Sequence, residues 1–242
     1  MLQASQPVNT ETILIDNNYN RPIDISFRNI TYSVPILDES VPQSPLPCFK
    51  QYTQKQILKG VSGVIKAGHL TAIMGASGAG KTTLLNVLAC RLPAKQLTGS
   101  ITANGRPYDF ESFGDFANYV MQRDVLIQTL TVRETLEFAA SLKLDVSEEE
   151  KKKRIDRLAA KFKLEKCLDV LVGGDQLKGI SGGERKRTSI AFELISDPSV
   201  LVLDEPTSGL DSLTSFIIVK YLKQLAFQEG KNIIMTIHQP NS

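Results

Sequence analysis

Hydrophobic positions along the chain switch between two periods, and the switches mark the elements. From Pro22 to Val34, in "PIDISFRNITYSV", Ile23, Ile25 and Phe27 alternate with polar neighbours, the two-residue period of a half-buried strand. Strand signals return in "KQILKGVSGVIKAG" and in "GSITANGRPY", where Asn104-Gly105 has the chemistry of a hairpin turn. These pieces predict an antiparallel β layer. "HLTAIMG" and "SVLVLDEP" are different: their apolar residues run without interruption, as in a parallel strand buried on both faces. Residues 1–20 are polar and aperiodic and predict a mobile tail. Pro35, Pro42, Pro45 and Pro47 predict a loop over residues 35–54.

The helical period appears between the buried strands. "KTTLLNVLACRL" places Leu84, Leu85, Leu88 and Leu92 at helical spacing, and "TVRETLEFAASLKL" puts Val132, Leu136, Phe138 and Ala139 on or near one face. "SEEEKKKRIDRLAAKFKL" offers Glu148/Lys152, Glu149/Lys153 and Glu150/Arg154 at the i, i+4 spacing of a solvated helix face. Residues from about 124 to 185 therefore predict an α-helical subdomain inserted between strands of an α/β core.

Composition narrows what such a chain does. A net charge of +2 supplies no field that argues for nucleic acid or an anionic bilayer as partner. Cys48, Cys90 and Cys167 are odd in number and lack metal-ligand spacing, which suits structural thiols in a reducing compartment. No apolar run approaches the roughly 18 to 20 residues of a membrane-spanning helix. The start lacks the basic segment and long apolar core of a signal peptide. By itself the chain reads as soluble.

The chemistry gathers where strands end. "GASGAGKT" fits G-x-x-x-x-G-K-[ST] at Gly75, Gly80, Lys81 and Thr82, between an apolar strand and an amphipathic helix. Its glycines let successive N–H groups converge on a phosphate, and the helix starting near Lys81 points its positive end at the same anion. Lys81 adds a cation for the β- and γ-phosphates, and the Thr82 hydroxyl can ligate Mg2+. The fold this predicts is α/β, a P-loop NTPase with a RecA-like parallel sheet, an antiparallel β layer and the helical insertion. After Val200–Leu203 come Asp204 and Glu205: the first suits the Mg2+ shell, the second is free to accept a proton from an attacking water. Gln122 closes "FANYVMQ" and can contact Mg2+ or its water. His238 closes "NIIMTIHQP" and can bond a γ-phosphate oxygen. "ISGGERKR" starts a second helix with a phosphate-holding look.

In this order and spacing the motifs resemble an ATP-binding-cassette nucleotide-binding domain over roughly residues 22–240. Gly75, Ala76, Ser77, Gly78, Ala79, Gly80, Lys81, Thr82 and Thr83 resemble its Walker A motif, and Gln122 its Q-loop. Ser181, Gly182, Gly183 and Glu184 resemble its signature, "VLVLDE" its Walker B. Ser208, Gly209, Leu210 and Asp211 look like its D-loop and His238 its switch histidine. "SGGER", "TLTVRETL" and "IHQP" are similar to the G subfamily of white-type half-transporters and pleiotropic-drug-resistance relatives. Val34 stands where many relatives stack an aromatic on adenine, with Tyr32 two positions away.

The resemblance implies ATP hydrolysis with Mg2+ held by Thr82, by Gln122 and, through water, by Asp204. Glu205, His238 and Gln122 are the implied catalytic residues. It also implies a head-to-tail pair with a second nucleotide-binding domain, identical or not, in which Ser181–Glu184 serve the partner's nucleotide. The implied setting is the cytoplasmic face of a membrane, with a transmembrane domain C-terminal to the cassette and lipids, sterols or xenobiotics as exported cargo. Against that pattern the last strands and helices and the membrane domain are absent before Ser242, so the chain reads as a fragment. The competing readings are a cassette acting on nucleic acid and a subunit that binds ATP without transport. The chain has no long coiled coil between the two phosphate motifs and no second cassette, against the first. Lys81, Glu205 and Ser181 are all intact, against the second.

Overall fold

A computed structural model of the chain describes residues 22–37, 51–174 and 176–238. Its elements, in chain order, begin with β1 (Ile25–Leu37), β2 (Tyr52–Ile65), β3 (Leu70–Met74) and α1 (Lys81–Leu88). There follow β4 (Leu97–Ala103), β5 (Arg106–Pro107), α2 (Phe110–Phe116), β6 (Ala117–Val120), α3 (Val132–Lys143) and α4 (Glu148–Lys161). The described chain closes with α5 (Gly182–Leu194), β7 (Val200–Leu203), α6 (Ser212–Glu229) and β8 (Asn232–Ile237).

The alternating segments form one antiparallel sheet in the order β2-β1-β4-β5, and the continuous apolar runs form a parallel sheet in the order β3-β8-β7-β6. The parallel strands show why their sequences do not alternate. Leu201, Leu203, Ile233 and Met235 pack with α3 to α6 on one face. Val200, Val202 and Ile234 pack on the other with β1, β2, α1 and α2. Both faces are core, so β7 is apolar and buried at every position, and its neighbours β3, β6 and β8 are mostly apolar. All four strands run the same way, so the segments after Met74, Val120, Leu203 and Ile237 share one edge, the carboxyl edge where α/β sheets keep their ligands.

Several expectations need correction. The Pro-rich loop is narrower than residues 35–54, because β1 reaches Leu37 and β2 begins at Tyr52, with Pro35 opposite Gln54. β1 meets β4 only as far as Tyr32, so Pro35 lies in a two-stranded stretch where its missing N–H interrupts no second ladder. Residues 38–50, and with them Cys48, lie outside the described residues, as does the expected tail over 1–20. α1 stops at Leu88, because Cys90 takes a left-handed φ of 52°, and Leu92 falls beyond it. Residues 124–131 are not helical; α3 starts only after a capping box between Thr131 and Glu134. Val132, Leu136, Ala139 and Ala140 are buried on α3, but Phe138, two residues on from Leu136 and so on the far side, is 43% exposed. On α4, Glu149–Lys153 and Glu150–Arg154 form as spaced, whereas Glu148 pairs with Lys151 rather than Lys152.

Candidate functional site

β3 delivers the chain into the glycine loop. Gly78 and Gly80 take left-handed φ values of 75° and 87°, a region glycine enters without steric cost. At Gly80 a Cβ would also stand 3.1 Å from Leu58 Cδ2, so the loop is drawn tight against β2. α1 then starts with no side-chain cap and no acid in its first turn. Its leading N–H groups are left for an external anion. Lys81 is 8% exposed, and its Nζ donates to the Gly75 and Ala76 carbonyls at 2.9 and 3.0 Å, folding back across the loop mouth.

β7 delivers Asp204 and Glu205 beside that loop. Asp204 is buried, and its Oδ1 accepts from Thr82 Oγ1 at 3.1 Å and from Thr236 Oγ1 at 2.8 Å. Tyr119 of β6 lies near the Asp204 carboxylate. Burial first, and the Asp204 charge second, push its phenol far above the ordinary value, so it stays a donor. Glu205 takes a left-handed φ of 46°, a conformation costly for a residue with a side chain. Its backbone N–H is held by Thr236 Oγ1 at 2.8 Å, and its carboxylate accepts from Gln122 Nε2 at 2.8 Å. The Thr236 hydroxyl thus donates to one acid and anchors the backbone of the next.

His238, exposed at the end of β8, lines an open cleft of about 250 Å³ with Glu205, Ile237 and the Thr207–Leu210 turn. That turn holds Ser208, Gly209 and Leu210, and Asp211 after it caps α6 by accepting from Thr214 N at 2.9 Å. The structure therefore brings Lys81, Thr82, Gln122, Asp204, Glu205 and His238 to one edge of one sheet.

It does not bring the signature residues there. Among the described residues no hydrogen bond or ion pair links Ser181, Gly182, Gly183 or Glu184 to residues 75–83. Instead α5 opens on its own capping box: the Ser181 N–H and hydroxyl donate to Glu184 Oε2 at 2.9 and 2.7 Å, and Glu184 N returns a bond to Ser181 Oγ. Burial works to raise the Glu184 carboxyl. The Ser181 bonds and the Arg187 charge together outweigh it and leave the group below its ordinary value, ionised. Gly182 has open space where a Cβ would be, while at Gly183 a Cβ would meet Thr214 Cγ2 of α6 at 2.6 Å.

Tyr32 is 3% exposed with its hydroxyl on Gln96 Oε1 at 2.7 Å, so it is a core residue and offers no face to a base. Thr236, Tyr119 and Lys186 escape a reading of the sequence. The visible trace of Thr236 is one hydroxyl inside the apolar run "NIIMTI".

The donor set fits a hydrated Mg2+ rather than a protein-caged ion. No group of three His, Cys, Asp or Glu able to hold a metal exists among the described residues. One hydroxyl and one buried carboxylate, 3.1 Å apart beside a phosphate cradle, supply two oxygens, and phosphate and water complete the shell of such an ion.

Residues 58–208 match the ABC transporter family. The chain is 45% identical over 230 residues to ABC transporter G family member 1 of Dictyostelium discoideum, covering 93% of this chain and 28% of that protein. It is 44% identical over 218 residues to the broad substrate specificity ATP-binding cassette transporter ABCG2 of Mus musculus, covering 89% of this chain and 32% of that protein. The chain thus spans about a third or less of these relatives' length. In three dimensions it resembles the ATP-binding cassette MJ0796, solved as a dimer in a post-hydrolysis state bound to ADP and Pi. The TM-score is 0.68 at 27% identity, covering 89% of this chain and 88% of that one.

Proposed function

The chain belongs to the ABC transporter family, and on that premise we propose that it is the ATP-hydrolysing motor domain of a G-type membrane transporter. The observation that carries the reading is the carboxyl edge of the parallel sheet. There the Lys81 loop, the Thr82–Asp204 pair and the Glu205–Gln122 pair stand side by side. The loop amides and Lys81 bind the β- and γ-phosphates, Lys81 exchanging its two loop carbonyls for phosphate oxygens. Thr82, Gln122 and, through water, Asp204 would hold Mg2+, which supplies charge neutralisation at the phosphates. Glu205 takes the proton of the attacking water, oriented by Gln122 and by a backbone fixed on Thr236. His238, across the same cleft, donates to the γ-phosphate.

Ser181, Gly182 and Gly183, which make no bond to their own loop, serve in this reading the nucleotide of a second cassette, whose own Ser181 serves this one. The dimeric cassette it resembles supports such a pair. A γ-phosphate gripped from both sides favours the closed pair over the open one, and its hydrolysis removes the preference. Coupled to a transmembrane domain at the cytoplasmic face of a membrane, that cycle drives export of lipids, sterols or xenobiotics. The described residues contain no helix long and apolar enough to cross a membrane.

Light scattering on the Glu205→Gln variant tests the shared site. Its mass is expected to double with Mg-ATP and to stay monomeric without it. A variant that binds ATP and never pairs overturns the role given to Ser181–Gly183.

A further inference from the structure

α5 carries a cation that none of the roles above uses. Lys186 is 3% exposed, five residues and so about one and a half turns beyond Ser181. Its Nζ donates to Gln122 O at 2.9 Å and to Met121 O at 3.3 Å, and it pairs with Asp124 Oδ1 at 2.6 Å. Both hydrogen bonds and the ion pair fall on one four-residue segment, Met121–Asp124. That segment follows β6 and carries Gln122, whose own amide meets Glu205 at 2.8 Å.

A buried ion pair is a poor device for stability alone, because apolar residues of similar volume fill such a space at no desolvation cost. Here the pair comes with two backbone carbonyls that an apolar residue could not hold. We propose that Lys186 is a positioning residue that fixes the Met121–Asp124 backbone so that Gln122 stays on Glu205, tying the helix that starts at Ser181 to the chain's own hydrolytic carboxylate. The proposal rests on the roles given above to Gln122, Glu205 and Ser181. It adds a route between the two sites of a pair: the start of α5 meets the partner's nucleotide while its second turn holds this chain's Gln122. A displacement of α5 by the partner's γ-phosphate reaches Glu205 through three groups in sequence, the Lys186 ammonium, the Gln122 backbone and the Gln122 amide.

A double-mutant cycle in the intact protein tests it, reading kcat and KM for Mg-ATP in Lys186→Met, Gln122→Ala and the combination. Lys186→Met is expected to lower kcat on the order of ten- to a hundredfold, the scale of a misplaced catalytic group, with KM unchanged. Added to Gln122→Ala, it is expected to lower kcat no further. A slow Gln122→Ala beside an unaffected or fully additive Lys186→Met overturns the proposal and leaves the reading of the site standing. An unaffected Gln122→Ala overturns both. Lys186→Met with Asp124→Leu removes both charges, so no buried carboxylate is left unpaired. This variant is expected to fold and stay slow. Recovery of wild-type kcat there reduces Lys186 to a counter-ion for Asp124 and overturns the proposal.

Discussion

Two helices of this chain start where a phosphate is expected, and they are finished in opposite ways. α1 begins at a left-handed glycine with no side-chain cap and no acid in its first turn. α5 begins at Ser181 with both halves of a capping box made and an ionised Glu184 beside them. The first leaves its N–H groups for a ligand to satisfy; the second is already satisfied. An unfinished start costs the free chain stability that bound nucleotide restores, which suits the site that binds first. A closed start costs nothing while the chain is alone, and a phosphate brought by a partner must draw the Ser181 hydroxyl off Glu184. The difference fits the proposed division, in which α1 is the permanent cradle and α5 the conditional one.

The sharpest way to probe that division is to remove the carboxylate proposed to drive hydrolysis between the two cradles. Glu205→Gln is expected to slow turnover by about 10²–10⁴ while ATP binding persists, read as single-turnover hydrolysis against nucleotide affinity. A variant as fast as wild type would require another base. Lys81→Ala strikes the unfinished cradle and is expected to weaken ATP binding by about ten- to a hundredfold, the loss of charge-assisted bonds. Equal affinity in calorimetry would refute the loop assignment. Ser181→Arg fills the conditional cradle: hydrolysis by the pair is expected to stop while a single chain binds ATP as before. Loss of both together contradicts a role in the partner's site.

Smaller effects sharpen the comparison from the side of stability. Glu184→Ala opens the capping box and is expected to cost about 1 kcal/mol in denaturant unfolding, with ATP affinity of the single chain untouched. The pH dependence has a definite sign. The folded Glu184 carboxyl lies below its ordinary value of 4.5, so its ionised form stabilises the fold above that pH, and the contribution fades as pH falls through the folded value. Unfolding curves of wild type and Glu184→Gln should therefore draw together in acid. A gap that widens below that range contradicts the assigned ionisation.

The sheets and the glycine loop were legible because each has a local signature. An alternating run and a continuous apolar run demand different burial, and Gly75–Thr82 packs its whole chemistry into eight residues. Asp204, Glu205, Gln122 and His238 are legible for a related reason, since each lies within two residues of a strand's end. Thr236 was not, because its partners are set by β8 lying beside β7, an adjacency that no local stretch encodes. Nor was Lys186: in the run Arg185-Lys186-Arg187 nothing but the packing of α5 on β6 says which cation turns inward. Pro35 is not legible as strand, because prolines at this density predict a loop, although a two-stranded stretch tolerates one.

The sheet order also carries a consequence for biosynthesis. β8 is the last strand described, yet it lies between β3 and β7. Its Asn232 amide donates to Ile23 O at 2.9 Å and Ile65 O at 3.1 Å, bridging to chain made 209 and 167 residues earlier. On the ribosome β3, with its nucleotide loop, has no neighbour in its sheet until Ile237 emerges, on the order of ten to thirty seconds after Met74 at usual elongation rates. During that interval the strand that leads into the glycine loop is without its strand partner. Delays or stalls in synthesis before residue 237 therefore lengthen the time this strand spends without its sheet partner.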